Sequence, residues 1–168
     1  ERPFDLKIVN KNSTQFAIDL TVDGIVTVED DKCTVVAPKD ISDRTLAHEY
    51  AHTQSQAPSL GINNVALSAM QEAYTESLVP EPTYYKLERF VYDKICSLND
   101  QIPELMRRAY LDSKEHGEAL VVAMLNTLGS EDYIRVAFMN NSWVREGDMR
   151  KEICYPGIST AMYFLYKY

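Results

Sequence analysis

The sequence predicts an α+β fold: a small N-terminal antiparallel sheet packed on two helices, followed by an all-helical C-terminal lobe. Three observations carry this prediction. Residues 5–37 hold β-rich runs in which polar and apolar residues alternate. From residue 42 the apolar spacing becomes i, i+3, i+4, the period of a helix. After Pro82, segments of helical length are separated by Pro, Gly, Asn or Asp. No repeat, low-complexity tract or long linker interrupts the chain. The expected partition is a core of strands plus two helices over residues 1–80 and a closely packed helical subdomain over 81–168, with one single domain as the alternative.

The elements follow in order. In FAIDLTVDGIVTVED the pair Asp23-Gly24 sits between two β-rich runs, a hairpin signal. KCTVVAP at 32–38 reads as a further strand ended by Pro38, so three strands in series predict an antiparallel meander. A helix over 42–57 has Asp40 or Ser42 as N-cap, Asp43 in its first turn and Ala47, Tyr50 and Ala51 at helical spacing; Pro58 and Gly61 end it. Asn63 or Asn64 caps a second helix, VALSAMQEAYTESLV, which runs to Pro80. Five further helical segments follow: TYYKLERFVYDKICSLN, IPELMRRAYLDS, GEALVVAMLNTLG, SEDYIRVAFMNN and ISTAMYFLYKY.

Composition sets bounds on function. The chain has 168 residues, 45% hydrophobic and 25% charged, enough to bury a core without disulfides. Its formal net charge is −8, which disfavours nucleic acid and anionic membrane surfaces as partners; the short basic run Met106-Arg107-Arg108 reads as a solvated helix face. Cys33, Cys96 and Cys154 are far apart and form no CxxC, so buried reduced thiols are the expected state. No apolar run reaches 18 residues, so no membrane-spanning helix is expected.

The chemistry is concentrated in TLAHEYAHTQS, residues 45–55. Two of the chain's 3 histidines, His48 and His52, fall four residues apart, with Glu49 after the first. On a helix both imidazoles share one face, and Glu49 is rotated about 100° from His48. This is the HExxH arrangement: two zinc ligands and a general base on one helix. A catalytic zinc takes three protein ligands and leaves a position for water. The extension HExxHxxGxxH does not supply the third, because its Gly and His positions are Ser55 and Pro58. On the next helix, Glu72 follows His52 by 20 positions and Glu76 lies one turn further along the same face. One of the two carboxylates is expected to bind zinc, and the other to accept the free N–H of a ligand histidine.

HEYAH at 48–52 followed by QEAYTES at 71–77 resembles the gluzincin metallopeptidases, the clan of thermolysin, and more closely its small bacterial forms with a compact core and a helical tail. The resemblance covers about residues 33–79. It implies a zincin-like catalytic core, Zn2+ held by His48, His52 and Glu72, and Glu76 behind them. It implies a zinc endopeptidase in which Glu49 takes a proton from the attacking water and passes it to the leaving amine. It also implies a strand edge for extended substrate at Thr34, Val35 and Val36, and a second oxyanion donor from the helical part, with Tyr110 and His116 as candidates. The chain departs from thermolysin itself: Gln71 stands where Asn precedes the ligand Glu, and Glu76 where Asp follows it.

The expected partner is a peptide or protein substrate. The alternative is a non-catalytic zinc-stabilised scaffold, or a partner-binding module with a helical interaction lobe; the presence of Glu49 argues against it, since a structural zinc needs no base. A start at Glu1 rather than Met leads to the expectation of an exported or cell-surface bacterial protein, with a cytoplasmic peptidase as alternative.

Overall fold

The structure is a computed structural model that describes residues 4–9, 25–29, 32–55, 65–80, 85–139, 144–146, 149–151 and 155–168. The Asp23-Gly24 turn and the helix signals at Pro58, Gly61, Asn63 and Asn64 lie outside the described residues. The architecture is α+β, and the chain divides into two compact units: residues 1–55 with 78–80, and residues 56–77 with 81–168.

The first unit contains β1 (Phe4–Val9), β2 (Ile25–Glu29), β3 (Lys32–Pro38) and helix α1 (Asp43–Gln54). Strand β3 is where the β-branched run predicts it and ends at Pro38 as expected. Cys33 and residues 35–38 are buried, because β3 is the central strand and its apolar side chains are covered on both faces. The sheet order is β1-β3-β2. β2 runs antiparallel to β3, with Ile25 opposite Val36 and Glu29 opposite Lys32. β1 runs parallel to β3, with Phe4 opposite Cys33 and Val9 opposite Pro38. The sheet is therefore mixed rather than the expected antiparallel meander. A parallel pair needs a crossover connection, which short-range alternation cannot reveal.

Helix α1 packs on the sheet, and the Phe4 ring meets Tyr50 edge-on with centroids 5.3 Å apart. Its start is set by Ser42, whose Oγ accepts a hydrogen bond from the Thr45 N–H at 3.0 Å. That satisfies one of the amides a helix N-terminus leaves without an intrahelical partner. The exposed Lys32–Asp5 ion pair at 2.6 Å adds little, since solvent screens it.

The second unit contains α2 (Val65–Leu78) through Ser77, α3 (Lys86–Leu98), α4 (Ile102–Leu111), α5 (Ser113–Phe138), the ribbon β4 (Val144–Glu146) and β5 (Met149–Lys151), and α6 (Tyr155–Lys167). The antiparallel β4–β5 pair corrects the expectation of an all-helical lobe. These strands have 3 residues each, too short for a period-two signal to stand out. The core is built from one face of each helix, including Met70, Ala73, Val91, Ile95, Met106, Leu120, Met124 and Phe164, all 1% exposed or less. Each of these fully buried side chains other than Ala73 contributes roughly 1.5–3 kcal/mol.

Two local devices shape this unit. Gly129 adopts φ 77 inside α5, a conformation that suits glycine, so the two helical segments expected on either side of it meet at a kink. Asp132, 1% exposed, accepts hydrogen bonds from Lys167 Nζ and Tyr168 Oη, tying the end of α6 to α5. Burial pushes the Asp132 carboxyl upward, but the hydrogen bonds from Lys167, Tyr168 and Tyr163 outweigh it and hold the group below the usual carboxylate range.

Candidate metal centre

The side chains that α1 buries are unusual for a short helix. Thr45, His48, Glu49 and Thr53 are buried along with Ala51, while Ala47 and Tyr50 are only half-buried. Desolvating an imidazole and a carboxylate is costly unless they gain polar partners or an ion. α1 thus turns toward the protein interior the residues that carry chemistry rather than an apolar stripe.

One helical turn brings the two imidazoles together. His48 Nε2 and His52 Nε2 are 3.0 Å apart, and the rings meet at 75° with centroids 4.7 Å apart. Two nitrogens each about 2.0–2.1 Å from a tetrahedral zinc would sit roughly 3.3 Å apart. The observed separation lies within a few tenths of an ångström of that value. At this distance both Nε2 lone pairs can serve one cation, with each Nδ1 left for a polar neighbour.

Among the described residues, His48, His52 and Glu72 are a possible metal-binding triad. Two imidazole nitrogens and one carboxylate oxygen are a donor set that suits zinc in an open, three-ligand site. His48 is buried, and His52 and Glu72 are half-buried. Glu49, 9% exposed, follows His48 on α1 without being one of the three. Glu76 lies one turn beyond Glu72 on α2 and is fully buried.

The C-terminal end of α1 is held from the sheet. The Cys33 thiol on β3 approaches the Thr53 carbonyl at 3.7 Å, and the Ser55 N–H donates to the His52 carbonyl. Cys33 is 1% exposed, consistent with a packing thiol.

The structure relocates one expected feature. Thr34, Val35 and Val36 were expected to offer a free strand edge, but they lie in the interior strand, paired with β1 on one side and β2 on the other. Their backbone groups already serve two ladders, so an added strand has no place there. Among the described residues, the edges of this sheet are β1 and β2.

Tyr110 and His116 are both in the helical unit. His116 is half-buried in the first turn of α5, its amide bonded to the Asp112 carbonyl at 3.1 Å. Tyr110 is 2% exposed, with its hydroxyl 2.9 Å from Thr75 Oγ1. Sequence reasoning did not single out Thr75; its place between Glu72 and Glu76 was visible in the sequence, but its burial belongs to the structure. Comparison with models of protein families, with curated proteins and with solved structures finds no match to this chain.

Proposed function

We propose that this chain is a zinc-dependent peptidase whose site combines His48, Glu49 and His52 on α1 with Glu72 on α2. The observation that carries this reading is the pair of imidazole nitrogens 3.0 Å apart on one face of α1, with a buried glutamate directly after the first histidine. His48 and His52 would hold the ion through Nε2, and Glu72 through a carboxylate oxygen. When bound, zinc supplies Lewis acidity and a nucleophilic water at neutral pH.

The protein's own groups do the rest. Glu49 accepts the proton from the attacking water and returns it to the leaving amine. Its burial keeps competing solvent away from that transfer. Glu76 serves as the carboxylate that orients a ligand imidazole through its second nitrogen. The resemblance of HEYAH and EAYTE to gluzincin motifs supports the same assignment of roles.

Glu49→Gln tests the proposal, because the amide keeps the shape but cannot take a proton. The expected result is unchanged zinc stoichiometry with hydrolysis of a peptide library reduced about 10²–10⁴-fold. An active Glu49→Gln protein would sink the mechanism. Zinc binding with no Glu49-dependent cleavage would instead favour a zinc-stabilised scaffold.

A further inference from the structure

Helix α2 carries Glu72 and Glu76, and its rotation about its own axis decides which way those carboxylates face. One residue of rotation is about 100°, enough to turn Glu72 away from any ion. Two consecutive side chains oppose such a rotation. The Tyr74 ring meets Tyr110 of α4 edge-on at 5.0 Å and 61°, and Tyr92 of α3 at 6.3 Å and 73°. The next residue, Thr75, is fully buried, with Oγ1 2.9 Å from the Tyr110 hydroxyl. Tyr92 and Tyr110 are themselves 5% and 2% exposed, so neither has room to swing.

We infer that Tyr110 is a positioning residue for the metal ligand Glu72, acting through Thr75 and Tyr74; this rests on the metal-site reading above. Apolar packing of Ala69, Met70 and Ala73 holds α2 against its neighbours but tolerates small rotations, because methyl and thioether contacts are not directional. The Thr75–Tyr110 hydrogen bond is directional and lies inside the low-dielectric core, where it is strong. Without Tyr110 as partner, the Thr75 hydroxyl turns to the carbonyl four residues back, at Gln71, and that back-bond bends a helix. The carbonyl it would reach immediately precedes Glu72 in the chain.

The test is cobalt titration of the full chain, wild type against Tyr110→Phe, Thr75→Val and the double variant, with the visible spectrum of bound Co2+ recorded. Tyr110→Phe keeps the ring against Tyr74, and Thr75→Val keeps the shape of the side chain. Each is expected to weaken Co2+ binding about ten-fold, the lower end of the range for groups that orient a ligand. Both should shift the d–d bands alike, and the double variant should be no worse than either single one. Variants that melt earlier but bind Co2+ with wild-type affinity and spectrum overturn the inference, leaving the pair a stabilising contact. Additive effects in the double variant also overturn it, since the hydroxyls would then act separately. Where Tyr110→Phe fails to fold, Thr75→Val decides; if both fail to fold, the pair serves the whole helical unit and the inference falls. A wild-type chain that binds no Co2+ removes the metal-site reading itself, and the inference with it.

Discussion

Helices α1 and α4 have 12 and 10 residues, and they bury opposite kinds of side chain. α4 buries Ile102, Met106, Ala109 and Tyr110 and leaves Glu104, Arg107 and Arg108 paired on the outside. α1 buries Thr45, His48, Glu49 and Thr53. The first pattern is that of a helix stabilised by removing apolar surface from water. The second spends stability to place polar groups where water is scarce. The contrast teaches a division of labour: cohesion resides in the helical unit, and the candidate chemistry begins on a helix that contributes little apolar burial.

Four perturbations can break or sharpen that contrast. The largest effect is expected from Glu49→Gln, where activity falls by about 10²–10⁴-fold with little change in the melting midpoint. A large loss of stability there would mean that Glu49 is a structural group. Next comes Phe164→Ala in the core of α6, expected to cost about 3–5 kcal/mol by leaving a cavity. Zinc affinity per folded molecule should stay unchanged in that variant. Equilibrium dialysis after denaturant titration reads both quantities, and a matching loss of zinc would dissolve the division of labour.

Asp132→Asn is smaller. Hydrogen bonds to a charged group are worth about 1.5–3 kcal/mol, and the partly exposed Lys167 places the expected loss near the lower figure. The sign with pH follows from the lowered folded-state value of Asp132. Its contribution is present above the ordinary carboxylate pKa of about 3.9 and is lost as pH falls through the lower folded-state value. Lys167 is shifted upward, chiefly by its hydrogen bond to Asp132, so its share persists until pH rises past the usual lysine range. Urea titrations should show the wild-type advantage constant near neutrality and closing in acid. An advantage that grows in acid would contradict this. The smallest effect is that of Ser42→Ala at the start of α1, about 1 kcal/mol from the lost cap bond, read as a lower unfolding midpoint. No change there would mean that the sheet alone holds the helix end.

Much of this was legible in one dimension because it is local. KCTVVAP marked β3 by β-branched content and Pro38, Ser42 was among the two caps named for α1, and Gly129 marked the break in α5. The HExxH spacing placed two imidazoles one turn apart by helix geometry alone. The parallel β1–β3 pair was not legible, because pairing partner and direction are set by contacts remote in sequence. For the same reason Thr34–Val36 passed for an edge: whether a strand is central depends on its neighbours, not on its own residues. The β4–β5 ribbon was too short to signal itself.

The sequence by itself therefore determined the α+β class, the presence of the main helices and the helical spacing of the candidate ligands His48 and His52, since propensity, capping and periodicity act over a few residues. Only the tertiary structure decided that β3 is interior, that His48, Glu49 and Glu76 are buried, and that Tyr110 meets Thr75 across 35 positions of chain. Burial and long-range hydrogen bonds belong to the packed whole, where each group's environment is supplied by residues far away in the chain.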